Sequence, residues 1–253
     1  MTMRRALVFF LVLFAVRELP AQTPEQMLRQ ANQLYQQGKF AEAREAYGAI
    51  LKGGYESPEL LYNLGNACYK SGSVPAAILN YERARRLLPG DDDLRHNLQI
   101  ASMMITDRIE PAPRLFVWDY WDGIKNWFSL SGLTLTVYLF YALVAVMAAA
   151  FFLARTYALR KIALMAGSGL LVVFLFLLVV LIARLGDVTR TDEAVVMSQI
   201  VTVKNSPDAQ SSDAFVLHGG VKVQLIDRVG NWSKVRIADG KVGWLEASAV
   251  EVI

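Results

Sequence analysis

Two stretches of the chain, residues 133–154 and 162–183, are 22 residues long and carry no charged side chain. An α-helix rises about 1.5 Å per residue, so each stretch reaches roughly 33 Å, the thickness of a bilayer's hydrocarbon core. Backbone polar groups in lipid must be satisfied within the segment, so both stretches are expected to be helices. The seven residues between them, 155–161, hold three basic side chains and no acidic one. So short a connection permits little but a helical hairpin. A basic loop is expected on the cytoplasmic side. Whatever precedes residue 133 and follows residue 183 then lies on the opposite, exported side.

The beginning of the chain agrees with export. Residues 1–5 are basic, residues 6–16 are apolar, and Pro20 and Ala21 precede a possible cleavage point. This is the pattern of a signal peptide over residues 1–21. The 253-residue chain is 54% apolar and only 19% charged, a balance explained by these membrane segments. Its net charge of +3 is topogenic. Residues 22–110 hold ten basic and eleven acidic side chains, and residues 185–253 hold seven and nine, so neither flanking part resembles a nucleic-acid binder.

Residues 61–89 read L-Y-N-L-G-N-A-C-Y-K-S-G-S-V-P-A-A-I-L-N-Y-E-R-A-R-R-L-L-P. This is a tetratricopeptide-type helix pair: small residues Gly65 and Ala77 stand where two helices cross, and Leu64, Tyr69, Ile78, Tyr81 and Ala84 recur at helical spacing. A copy lies 34 residues upstream, with Ala31, Gly38, Ala43, Tyr47 and Ile50 matching Gly65, Gly72, Ala77, Tyr81 and Ala84. Repeats are expected over 24–57 and 58–91. A closing helix is expected over 92–105, with Asn97 and Leu98 matching Asn63 and Leu64. The acidic run at 91–93 is read as its cap, since carboxylates at a helix start satisfy backbone N–H groups and the dipole. The lone cysteine, Cys68, falls inside the second repeat and is expected to be a packed, inert thiol.

Such repeats hold other proteins. Some grip a C-terminal carboxylate with two asparagines and several basic side chains. Here Asn32 and Asn63 occupy the asparagine positions, but Leu28, Asp93 and Asn97 occupy the basic ones, so that mode is not supported. The groove is expected to present Asn32, Tyr62, Asn63, Asn66, Tyr69 and Lys70, a neutral hydrogen-bonding and aromatic surface suited to a peptide. Residues 111–132, rich in Trp, Tyr and Phe, are expected to form an aromatic linker at the membrane interface.

After Asp187 the pattern changes to short β-type runs at 195–196, 200–203, 221–226 and 234–237, separated by turn residues. Several short strands in about 60 residues imply a small barrel. The order V-K-N-S-P at 203–207, N-W-S-K-V at 231–235 and G-K-V-G-W-L at 240–245 resembles the bacterial SH3-type domain, here over residues 184–253. In that reading Trp232 packs at one end of the barrel and Gly243 and Trp244 form the last hairpin. Trp232 and Trp244 are candidate ligand platforms, the alternative being core or rim packing.

The fold class expected is a multidomain membrane protein: an all-α repeat domain, a two-helix transmembrane hairpin and a small all-β barrel. No residue cluster has metal-ligand spacing and no catalytic motif occurs, so no catalytic, cofactor or metal site is assigned. The order of parts, with D-D-D-L-R-H-N-L at 91–98, F-V-L-H-G-G-V-K-V at 215–223, D-G-K-V-G-W-L at 239–245 and A-V-E-V-I at 249–253, resembles the BatE-type aerotolerance-operon proteins. The resemblance implies a non-enzymatic inner-membrane scaffold with two periplasmic domains. It also implies a complex with von Willebrand A-type membrane proteins, an indirect link to a MoxR-type ATPase, and a role in envelope-stress tolerance. A cell-wall receptor binding peptidoglycan peptides through the barrel is the alternative.

Overall fold

The computed structural model describes residues 23–253; the signal peptide expected over 1–21 lies outside the described residues. Five helices open the described chain: α1 (Pro24–Gln36), α2 (Phe40–Lys52), α3 (Pro58–Lys70), α4 (Val74–Leu87) and α5 (Asp92–Met103). Their starts are written locally. Thr23 and Gln26 form a reciprocal capping box at α1, and the Ser57 hydroxyl accepts from the Leu60 N–H at α3. Pro24 and Pro58 sit in the first turns, where a missing N–H costs nothing. The Asp91 carboxylate accepts from the Leu94 N–H at 2.8 Å, as expected for a cap. Each pair of helices turns over a glycine in the left-handed region, Gly38 at φ +76° and Gly72 at φ +82°.

The crossing inside the second repeat is set by Gly65. A Cβ added there would lie 2.6 Å from the Tyr81 ring, so only hydrogen lets α3 and α4 approach this closely. Ala31, Ala43, Ala67, Ala77 and Ala84 are fully buried, and Tyr47 and Tyr81 fill the space between the helix pairs. Burial pushes the Cys68 thiol up to about 11, which leaves it protonated and unreactive at neutral pH.

Residues 111–132 are not a linker throughout. They contain a helix, α6 (Phe116–Asn126), whose aromatic residues Phe116, Trp118 and Tyr120 are exposed. Two helices long and apolar enough to cross a membrane follow, α7 (Leu130–Leu153) and α8 (Tyr157–Thr189). They pack as a hairpin in which the Tyr141 and Phe174 rings meet at 6.1 Å. Gly167 lies where a Cβ would be 3.2 Å from the Met147 Cβ. The rest of their apolar surface faces outward, the pattern of helices solvated by lipid. The basic stretch 155–161 is only partly loop, because α8 begins at Tyr157. At 33 residues α8 spans roughly 50 Å, well beyond a 30 Å hydrocarbon core. Its last turns therefore run on into the soluble part of the molecule.

Seven strands follow: β1 (Glu193–Val196), β2 (Ile200–Lys204), β3 (Asp213–His218), β4 (Lys222–Val229), β5 (Trp232–Arg236), β6 (Val242–Glu246) and β7 (Val250–Val252). They form one antiparallel sheet in the order β3-β2-β6-β5-β4-β1-β7. It curls about Ala194, Val196, Val203, Leu217, Val235 and Leu245. Gly243 is not at a hairpin turn. It lies within β6 opposite Val235, where a Cβ would be 2.4 Å from the Val203 Cγ1, so its role is the close crossing of β6 over β2. The turn itself is carried by Gly240 at φ +93°.

Candidate functional site

Of the residues expected to line the helical groove, Asn32 and Asn63 are bonded to each other, and Tyr62 and Asn66 share a donor in Asn97. The Asn32 Oδ1 accepts from the Tyr47 hydroxyl at 2.6 Å and from the Asn63 amide at 3.3 Å. The same triangle recurs 34 residues on: the Asn66 Oδ1 accepts from the Tyr81 hydroxyl at 2.7 Å and from the Asn97 amide at 3.0 Å. The Asn97 amide also donates to the Tyr62 hydroxyl at 2.9 Å. Each triangle ties a helix of one pair to the second helix of that pair and to the first helix of the next. Burial raises the Tyr47 and Tyr81 hydroxyls, to about 12 for Tyr47, which keeps both as neutral donors. Tyr62 and Tyr69 are half-buried against the helical core, and Lys70 is exposed. These side chains thus form a preorganised amide and hydroxyl lattice between the helices.

The barrel docks on the back of the same helices, a contact that sequence reasoning missed. Val195 and Ile253 belong to the helical core cluster with Ile78 and Leu79, rather than to the barrel core. Arg83 of α4 pairs with Glu251 at 3.0 Å and donates to the Val252 carbonyl at 2.6 Å. Arg86, one turn on, donates to the Arg190 carbonyl at 2.6 Å and to the Ile253 main-chain oxygen. The His218 N–H and ring meet the Asp107 carboxylate at 2.7 and 2.8 Å. The Ala112 N–H donates to the Ala238 carbonyl at 2.9 Å. Nothing in the sequence set Arg83 and Arg86 apart from ordinary solvated charges on a helix face.

Glu193 joins this contact, 2.9 Å from Lys222 and 3.5 Å from Arg86. Burial alone would raise its carboxyl. Lys222 first, then Arg86 and Arg190, outweigh that and hold it below its ordinary 4.5. A folded value below the unfolded one contributes stability that is present above 4.5 and lost as pH falls through the lower folded value. Hydrogen exchange at β1 and β7, followed from about pH 6 to about pH 3 and corrected for intrinsic rates, should show docking held at the upper end and loosened at the lower. Equal protection across that range would contradict the role given to Glu193.

On the barrel's outer face, the alternation along β5 and β6 turns Ser233, Val235 and Leu245 inward and Trp232 and Trp244 outward. Trp232 pairs with Glu246 and Lys234 with Trp244, so the two indoles are diagonal neighbours on one face. Both are half-buried, and the Lys234 ammonium sits 5.7 Å from the Trp244 ring centre. Trp232 also borders an open cleft of about 1170 Å³ whose wall includes Arg228, Glu246 and, from α4, Arg83.

Two known families match parts of the chain. Residues 28–92 match the family described as Tetratricopeptide repeat, and residues 201–251 match Bacterial SH3 domain. The first match covers the whole of the first asparagine triangle and all of the second but Asn97, and the second match covers the strands that carry both tryptophans. Neither reaches α7 or α8. No curated protein matches the chain. Both matched families are typically non-catalytic binding domains.

Proposed function

We propose that this protein is a non-enzymatic scaffold of the bacterial inner membrane, with the helical repeats and the barrel both on the periplasmic side. The observation that carries the reading is the docking of two binding domains onto each other beside a hairpin of two helices long and apolar enough to cross a membrane. Both domains hang from the same pair of helices, so partners in the same membrane meet them at high effective concentration. The resemblance to the BatE-type proteins favours von Willebrand A-type membrane proteins as partners, acting with a MoxR-type ATPase in tolerance of envelope stress.

The groove around Asn32, Tyr62, Asn63, Asn66, Tyr69 and Lys70 is the proposed docking surface for a partner segment. Amides already paired with each other lose little entropy on binding, and the tyrosine rings offer apolar contact. The test is co-purification of the full chain with a von Willebrand A-type membrane protein in mild detergent. Tyr62→Ala with Tyr69→Ala should lower recovery about tenfold or more, since anchor aromatics commonly contribute 2 kcal/mol or more each. Hydrogen exchange of α3 must accompany the assay. Undiminished recovery with a folded double variant would remove the groove from consideration.

A second reading is favoured by the outward pair Trp232 and Trp244, which suits binding of peptidoglycan peptides at the barrel. Wild-type chain that sediments with purified cell wall, and a Trp232→Ala, Trp244→Ala variant that does not, would support it. Wild-type chain that stays in the supernatant would dismiss it.

A further inference from the structure

No residue of α6 is fully buried. One side of the helix, with Trp121 and Lys125 four residues apart, rests half-buried against the molecule. The remaining surface is divided. Phe116, Tyr120, Ile124 and Trp127, the last continuing the helical conformation just past the helix end, recur at spacings of four and three and so share a face. That face is open: Phe116, Tyr120 and Trp127 are 69%, 72% and 81% exposed. It carries no charged side chain, and Asp119, Asp122 and Asn126 fall on another side of the helix. Trp118, also exposed, lies outside the apolar face.

The charges of this segment are satisfied internally. Residues 114–126 hold two basic and two acidic side chains. Arg114 donates to Asp119 at 2.7 Å and to Asp122 at 2.9 Å, and Lys125 meets Asp122 at 3.0 Å and Asp187 at 2.6 Å. What α6 offers a partner is therefore aromatic and aliphatic surface.

The Lys125–Asp187 pair also sets the level at which α6 lies. Asp187 is four residues past Ala183, the end of the charge-free run, and α8 is still helical there. At about 1.5 Å per residue that is roughly 6 Å beyond the apolar run, within the headgroup zone flanking a hydrocarbon core of about 30 Å. The other connection agrees: three residues separate Asn126 from Leu130, where α7 begins. Trp and Tyr rings favour this zone, where one end of the ring meets apolar chains and the other meets water.

We propose that α6 lies in the plane of the membrane surface, with Phe116, Tyr120, Ile124 and Trp127 inserted at the boundary between headgroups and acyl chains, and that it takes zwitterionic and anionic lipid alike. This position of α6 rests on the membrane placement of α7 and α8 proposed above, whichever side of the membrane the domains face. Its consequence is mechanical. α6 is joined to α8 by the Lys125–Asp187 pair, and the segment before it is joined to the barrel by the bond from the Ala112 N–H to the Ala238 carbonyl. An inserted α6 braces the docked domains against the bilayer and restricts their tilt.

The test uses the full chain reconstituted at high lipid excess into phosphatidylcholine vesicles. Phe116→Cys, Tyr120→Cys, Asn126→Cys and, on the exposed surface of α7, Leu139→Cys are made singly and labelled with a small fluorophore. Cys68 is buried and protonated and stays unlabelled. Emission is read against a lipid carrying a nitroxide near the glycerol end of its acyl chain, and against aqueous iodide. The nitroxide should lower emission about twofold or more at Phe116→Cys, Tyr120→Cys and Leu139→Cys and much less at Asn126→Cys, with iodide giving the opposite order. Adding phosphatidylglycerol should change neither result. Equal nitroxide quenching at Tyr120→Cys and Asn126→Cys, or quenching at positions 116 and 120 that needs phosphatidylglycerol, overturns the proposal. So do labels at 116 and 120 shielded from both quenchers, which would put a second copy of the chain on this face. In each of these cases quenching at Leu139→Cys leaves the membrane crossing standing. An unquenched Leu139→Cys overturns the crossing itself, and the position of α6 with it.

Discussion

Replacing Tyr81 with alanine should cost the helical domain about 3–5 kcal/mol, the range for deleting a buried aromatic side chain. Tyr81 is 1% exposed, fills the crossing made possible by Gly65, and donates its hydroxyl to Asn66. The alanine variant leaves both a cavity and an amide that has lost one of its two donors. Amide hydrogen exchange in α3 and α4 should accelerate about 150- to 5,000-fold where it reports unfolding of the repeat domain. Tyr81→Phe keeps the ring and removes only the donor, so its cost should be about 1–2 kcal/mol. Equal effects from the two variants would mean that the hydroxyl, not the packing, holds the crossing. No effect from either would overturn the repeat alignment.

The second large effect is expected at Gly220, where the barrel meets the helices. Its φ of +100° disfavours any side chain, and a Cβ there would lie 2.4 Å from the Ile105 Cγ2 and 3.1 Å from the Ile78 Cδ1. Gly220→Ala therefore combines backbone strain with overpacking, about 2–5 kcal/mol together. For soluble parts of this size the melting midpoint of the full chain should fall by about 5–15 °C. Ile105→Ala removes the clashing methyl and should recover part of the loss in the double variant, because only the steric component is shared. A double variant that melts at the sum of the two single losses would show that Gly220 and Ile105 do not press on each other.

These two positions also show what the chain displays openly and what it conceals. The repeats were legible because residues filling equivalent space recur 34 apart, as Tyr47 and Tyr81 do. The apolar hairpin was legible because lipid demands unbroken charge-free runs, and most of the strands because alternation survives in short segments. The extent of α8 was less so, since basic residues at 155–161 read as loop although Tyr157 already begins the helix. The aromatic helix α6 was read as linker because its many aromatic residues were weighed as an interfacial anchor, although its apolar residues recur with a helical period. The asparagines expected in the groove lie in the hydrogen-bonded triangles, and their pairing with the tyrosine hydroxyls was visible only as a second 34-residue repeat, Asn32 to Asn66 and Asn63 to Asn97.

The docking of barrel on helices left no such trace. It rests on Arg83 and Arg86, which resemble solvated charges, and on Gly219 and Gly220, which resemble an ordinary turn. It also rests on Val195, whose strand pattern does not say that it packs outside its own barrel. Contacts between residues more than a hundred positions apart, such as Asp107 with His218, carry no local period.

The docked arrangement requires the repeats and the barrel to lie on one side of the membrane, and the proposed scaffold requires that side to be the periplasm. Alkaline phosphatase, which is active only after export, measures this when fused after Ile253. A fusion enzymatically active in intact cells is the predicted result. An inactive phosphatase at that position, together with an active β-galactosidase in the same place, would put the barrel in the cytoplasm and contradict the scaffold.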